Sequence, residues 1–173
     1  PAAVLSGISI INAWVVTDGG ALNLSNASIS VQNCRFLSNR AQNFGGAVFG
    51  NDWSSPTFTD CLFRSNIAYN GNGGAVHIED NGSPLFQSCT FDGNMASSGG
   101  ALSFDLSCSV EVNDCTIEGS VANAIDLGTD GDLYLIQSIV AFNQGFAVTG
   151  AVGSVANAVC CDVFGNTTGN WVS

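Results

Sequence analysis

Cys61-Leu-Phe-Arg-Ser-Asn66, followed by Gly73-Gly-Ala75, is the middle of three near-copies. Cys34-Arg-Phe-Leu-Ser-Asn39 with Gly45-Gly-Ala47 precedes it, and Cys89-Thr-Phe-Asp-Gly-Asn94 with Gly99-Gly-Ala101 follows. Cysteine returns after 27 and then 28 residues, and Gly-Gly-Ala after 28 and then 26. A self-similar period of this size with elastic gaps marks a stacked architecture, in which each unit buries its apolar positions against its neighbours. Weaker copies extend the pattern through Cys115-Thr-Ile-Glu-Gly-Ser120, Ser138-Ile-Val-Ala-Phe-Asn143 and Cys161-Asp-Val-Phe-Gly-Asn166, spaced by 26, 23 and 23 residues. The glycine column starts at Gly19-Gly20-Ala21 and decays to Asn123-Ala124 and Phe146-Ala147.

Each period contains three short runs with strand-like alternation. One is Cys-x-Phe or its equivalent, aligning Phe36, Phe63, Phe91, Ile117, Val140 and Val163. A second follows Gly-Gly-Ala, as in Val76/Ile78 and Leu102/Phe104, and a third precedes the next cysteine, as in Val110/Val112 and Leu133/Leu135. No run has helical periodicity or helical length. Three short strands per turn, stacked at about 4.8 Å, predict an all-β fold: a single right-handed parallel β-helix of about six to seven coils spanning 1–173. An N-terminal partial turn is expected around Ile8, Ile10 and Ile11. Gly-Gly supplies a position open to positive φ at the corner before the second run. Asn39, Asn66, Asn94, Asn143 and Asn166 recur at another corner, where asparagine tolerates the left-handed region and its amide can bond the coils above and below.

Composition narrows the functional classes. Of 173 residues, 46% are hydrophobic and only 10% charged, enough apolar material for a continuous core. The only cations are Arg35, Arg40 and Arg64, and a net charge of -11 argues against nucleic acid or anionic lipid as partner. No apolar run is long enough to span a membrane as a helix. Seven cysteines come without CxxC pairs, and one histidine, His77, makes no cluster by itself, so structural zinc is not expected. The chain opens at Pro1 without a leader and stops in mid-pattern at Trp171-Val-Ser173, as a segment of a longer chain or a subunit of an assembly would.

The pairing of Phe-x-x-Asn (Phe36 to Asn39) with Gly45-Gly-Ala47, twice repeated, resembles the polymorphic outer-membrane protein repeat of bacterial surface proteins, including autotransporter adhesins. More broadly the chain is similar to bacterial right-handed β-helix repeat proteins, in which endings like Cys160-Cys-Asp-Val-Phe-Gly-Asn166 are common. The resemblance covers about residues 30 to 170 and implies a secreted or surface-anchored protein. It implies no activity, because the motif residues build the stack.

Several sets of residues carry chemistry. Cys34, Cys61, Cys89, Cys115 and Cys161 form one column, expected as buried thiols. Neighbouring coils bring Cα atoms within disulfide range, but parallel side chains need not face each other, and the off-column Cys108 and Cys160 are the better candidates for unusual pairing. No base stands beside any cysteine, so no nucleophile is expected. The loop after the second run carries Asn51-Asp52-Trp53, Glu79-Asp80-Asn81, Asp105 and Asp130-Gly131-Asp132. Glu79, Asp80, Asp105, Asp130 and Asp132 read either as a solvated acidic edge that deters aggregation or as an oxygen-only calcium ridge. Arg64 aligns with Asp92 and Glu118, predicting a cross-coil ion pair. A lyase-like arginine site would need acidic ligands in the same cleft, and the ridge belongs to a different strand. A hydrolase would need two or three carboxylates on one face, for which Asp126 with Asp105 or His77 is the nearest approximation. The column Asn23, Phe49, His77, Ser103, Asp126, Thr149 is too irregular for ice binding. Four Asn-x-Ser/Thr sequons, at Asn23, Asn26, Asn81 and Asn166, are within chance for this composition.

These features favour a bacterial extracellular or cell-surface structural or adhesion module without catalytic residues or an obligate cofactor, associating through its end coils, or further coils of the same chain, into a fibre. Surface glycans or a host or cell-surface protein are the other expected partners. The alternative is a carbohydrate-active β-helix, lyase-like, hydrolase-like or glycan-binding, using an Asp-lined groove with exposed aromatics such as Phe49, Trp53 or Tyr134.

Overall fold

Alternation within runs of two to five residues leaves no room for helix, and every element among the described residues is a short strand. The structure is a computed structural model that describes residues 3–170; Pro1 and the Trp171–Ser173 ending lie outside them. Strands pair only in parallel, each with its counterpart one period away, in sheets of seven, seven, three and six strands. The first sheet holds the run before each cysteine, such as Thr57–Thr59, and the second the Cys-x-Phe run, such as Leu62–Arg64. The fourth holds the run after Gly-Gly-Ala, such as Val76–Ile78. These three sheets match the expected strands. The third sheet is an addition: Trp14–Val15, Arg40–Ala41 and Ile67–Ala68 form a two-residue ladder, continued as bridges to Met95 and Val121.

The core is built of columns. Phe63 pairs with Phe36 and Phe91, and its ring stacks on each at 4.8 Å, within 6° and 4° of parallel. Phe58 stacks on Phe86 at 5.3 Å in the facing column and meets Phe63 edge-on. Equal side chains at equal registers fill the interior without gaps, the condition for close packing.

Polar columns mark the corners. Asn66 accepts at Oδ1 from the backbone N–H (2.9 Å) and Nδ2 (3.1 Å) of Asn39, and its own Nδ2 donates to Phe36 O and Asn94 Oδ1. Asn143 and Asn166 repeat the bond at 2.8 Å, and Ser120 interrupts the column between Asn94 and Asn143. The left-handed conformation falls one residue earlier than expected, at Ser38, Ser65, Gly93, Gly119, Phe142 and Gly165. The asparagines are thereby free to turn inward, where their amides replace the missing sheet bonds of the corner. Asn166 spends its amide in this way on Val140 O, so its sequon is structural.

The cysteine column behaves similarly. Cys89 donates from Sγ toward Gln87 O and Phe58 O, and Ser138 makes the equivalent contact to Ile136 O at 2.7 Å. All seven cysteines are free. Cys108 is buried and directs its thiol at Ile78 O and Asp105 O, while exposed Cys160 is the left-handed residue that turns the chain before Cys161. In the glycine column, the first residue has positive φ at Gly19, Gly45, Gly73 and Gly99. The second is required by approach between coils, since a Cβ on Gly46 would lie 2.2 Å from Gly74 O.

At both ends the core columns emerge. Leu133 and Leu135 are fully buried, but Ala156 and Ala158, which continue their register, are exposed. Leu5 and Ile10 at the other end are half-buried, although the same columns hold Val31 and Phe36 in the interior.

Candidate functional site

Strand alternation places every second side chain of the fourth sheet on its outer face. Ile78 and Phe104 point into the core, so His77 with Glu79, and Ser103 with Asp105, share that face on consecutive coils. The register extends through Asp126 and Thr149 on one side and Phe49 and Asn23 on the other. The irregular column read from the sequence is thus correctly aligned. It is not an open surface, however. Phe49, His77 and Ser103 are buried, which removes Phe49 from the exposed aromatics.

Phe44, from the loop before the glycine corner, closes over this column. Its ring stacks on His77 at 4.8 Å, Phe49 stacks on His77 at 5.8 Å and 6°, and the two phenylalanines lie 6.5 Å from each other, so the three rings form one cluster. His77 has no solvent-accessible surface, and its Nε2 lies 3.6 Å from Glu79 Oε2 and 3.8 Å from Asp105 Oδ2. Both distances exceed hydrogen-bond length, and neither ring nitrogen has a partner. The carboxylates form the rim, with side chains 29% and 34% exposed. Burial raises the Asp105 carboxyl above its ordinary range; His77 opposes the rise, and the nearby Asp126 and Glu79 charges add to it. Asp126 is held by the Thr149 hydroxyl, which donates to Oδ1 at 2.5 Å.

The five carboxylates of the expected ridge therefore divide. Glu79 and Asp105 flank His77, and Asp126, which the ridge had not included, lies near Asp105 one coil further on. Asp80 enters the next turn, where Asn26, Asp52, Trp53, Asp80 and Asn81 line a cleft of about 450 Å³. Asp52, Trp53, Asp80 and Asn81 are all left-handed there, in turns stacked by the Trp53 N–H donating to Asp80 O. Asp130 lies at the same turn two coils on, with its carboxylate toward Gly153, and Asp132 opens the strand Asp132–Ile136 of the first sheet. Among the described residues, no three His, Cys, Asp or Glu side chains in their present positions form a group that could hold a metal ion.

Arg64 forms its predicted ion pair, donating from Nε to Asp92 Oδ2 at 2.7 Å, with Glu118 next in register. This pair lies on the second sheet, apart from the acidic face of the fourth. A second cleft, of about 430 Å³, lies over the short third sheet and is lined by Trp14, Arg40, Gln42, Tyr69 and Asn70. Trp14 and Tyr69 meet edge to face at 5.7 Å. Trp53 and Tyr134 are exposed as expected.

Asn51, Ser103 and His77 were all legible in the sequence, His77 beside Asp105 and Asp126, and so was the alternation that pairs His77 with Glu79. The cover supplied by Phe44 was not, because the position before each Gly-Gly holds Asp18, Phe44, Asn72 and Ser98, with no common residue type.

Residues 2–105 match the family model described as a right-handed β-helix region, and the chain belongs to that family. No curated protein matches the chain. Among the described residues no helix is long and apolar enough to cross a membrane.

Proposed function

We propose that this chain is an extracellular or cell-surface structural and adhesion module, a stiff β-helical spacer that acts without catalysis and stacks end to end. The observation that carries this reading is the use made of the repeated residues. The Phe rings, the Asn amides and the thiols of the cysteine column are directed at neighbouring coils or at their own backbone. The emerging columns at Leu5 and Ile10 and at Ala156 and Ala158 support association, because another coil in register would bury them. A second copy of the chain, or further coils of the same chain, would fit both ends. Sedimentation and electron microscopy over a concentration series test this. Rod-like oligomers are expected, lost in Ala156→Asp/Ala158→Asp, and a monomer at every concentration would overturn the end-to-end contact.

The alternative, a carbohydrate-active β-helix, is favoured by one observation: Glu79, Asp105 and Asp126 share an outer face. The Trp14–Tyr69 cleft, with Arg40, Gln42 and Asn70 around it, suits binding of a sugar ring to an aromatic flanked by polar groups. Screening acidic polysaccharides for new unsaturated or reducing ends, with and without calcium, separates the readings. Turnover that is lost in Asp105→Asn would replace the structural reading, whereas binding without turnover agrees with adhesion.

A further inference from the structure

Six buried side-chain polar atoms among the described residues lack a hydrogen-bond partner, and four belong to one patch: Asn51 Oδ1, His77 Nδ1, His77 Nε2 and Ser103 Oγ. All three residues lie on the outer face of the fourth sheet. Ser103 is the register partner of His77, and Asn51 stands beside Glu79, one step beyond the Gly50–Ile78 pair. An orphaned buried donor or acceptor is costly, so a concentration of them over two strand spacings calls for a ligand, an ion or ordered water. Glu79 and Asp105 converge on one of these atoms, His77 Nε2.

We propose that His77, Glu79 and Asp105 form a binding site for a divalent transition-metal ion of the Zn²⁺ type, with Ser103 and Asn51 in its immediate surroundings. Imidazole nitrogen with two carboxylates is a borderline donor set, better suited to Zn²⁺ or Co²⁺ than to Ca²⁺ or Mg²⁺, which take oxygen alone. Two ligand atoms each about 2.1 Å from a tetrahedral ion lie about 3.4 Å apart. The Nε2-to-oxygen separations of 3.6 and 3.8 Å need to shorten by only a few tenths of an ångström. Both carboxylates are on the rim and can swing, whereas the imidazole is fully buried and packed against the Phe44 and Phe49 rings. An ion so held joins the coil of His77 and Glu79 to the coil of Asp105. This site is distinct from an oxygen-only ridge, since it depends on the one histidine and leaves Asp80, Asp130 and Asp132 aside. It goes beyond the structural reading of the chain and stands or falls independently of it.

The test is titration of the purified chain with Zn²⁺, Co²⁺ and Ca²⁺ alone, by calorimetry and, for Co²⁺, by visible absorption. One Zn²⁺ or Co²⁺ per chain is expected, with visible bands for bound Co²⁺ and a rise in Tm on Zn²⁺ addition. His77→Phe, whose ring continues the Phe44–Phe49 stack, should keep the circular dichroism of the fold and weaken binding more than about tenfold, since even loss of an outer-shell partner has that effect. Glu79→Gln/Asp105→Asn should do the same from the rim, where misfolding is not at issue. The proposal is overturned by absence of saturable Zn²⁺ or Co²⁺ binding, which would leave the orphaned atoms to water. Undiminished binding in folded His77→Phe, or Ca²⁺ binding as tightly as Zn²⁺, would also overturn it.

Discussion

The asparagine column inside the corner and the Asn51–His77–Ser103 patch outside the fourth sheet both shield polar atoms from solvent, and they differ in satisfaction. In the interior of the column Asn66 spends its amide on neighbouring coils, with bonds of 2.9–3.1 Å. In the patch, ring nitrogens, a hydroxyl and an amide oxygen are enclosed without partners. A stack built for stability alone has no use for such a patch, because a phenylalanine at position 77 could pack against the same Phe44 and Phe49 rings. Buried polarity that is matched builds the solenoid; buried polarity that is unmatched locates chemistry.

The most severe test of this contrast is Asn66→Ala. It leaves two donors of Asn39, the carbonyl of Phe36 and the Asn94 oxygen short of partners, and a loss of about 3 kcal/mol or more is expected from the denaturant midpoint. His77→Phe should move the opposite way, gaining about 1 kcal/mol in metal-free buffer by removing two unmatched nitrogens. If His77→Phe destabilises as much as Asn66→Ala, the contrast fails.

Asp105→Asn sharpens it through pH. The folded protein holds the Asp105 proton more tightly than the unfolded chain does, because burial raises its carboxyl above the ordinary value of 3.8. Stability from this group therefore increases as pH falls from neutrality through the raised value and levels off below the ordinary one. Asp105→Asn should raise Tm at neutral pH in metal-free buffer, with the difference from the parent shrinking on acidification. A constant difference across that range would show that the carboxylate is not strained by its surroundings. The smallest effect is expected at Arg64, whose pair with Asp92 is exposed at 54% and 34%. Arg64→Ala should lower stability by less than about 1 kcal/mol, and salt should erase the loss.

Much of the scaffold was legible because its periods are local. Phe36, Phe63 and Phe91 align from spacing alone, and so do Arg64, Asp92 and Glu118. The third sheet escaped notice because Arg40–Ala41 and Ile67–Ala68 are too short to alternate. The left-handed corner was assigned one residue late, since asparagine's tolerance of positive φ is a propensity, whereas its amide bonds depend on the coil above. Of the candidate site, Glu79 and Asp105 were visible as carboxylates on adjacent coils. Their relation to His77 required reading two columns of one strand together.

The sequence by itself determined the period, the parallel register and the identity of the core columns, because a solenoid repeats the same contact at each coil and pattern stands in for distance. The tertiary structure alone decided which outward positions are sealed. Phe44 is the one aromatic in a column that otherwise holds Asp18, Asn72 and Ser98, yet its ring covers His77 and turns an apparently surface histidine into a buried, unpaired one. Such closure depends on where a loop lies in space, and no periodicity encodes that.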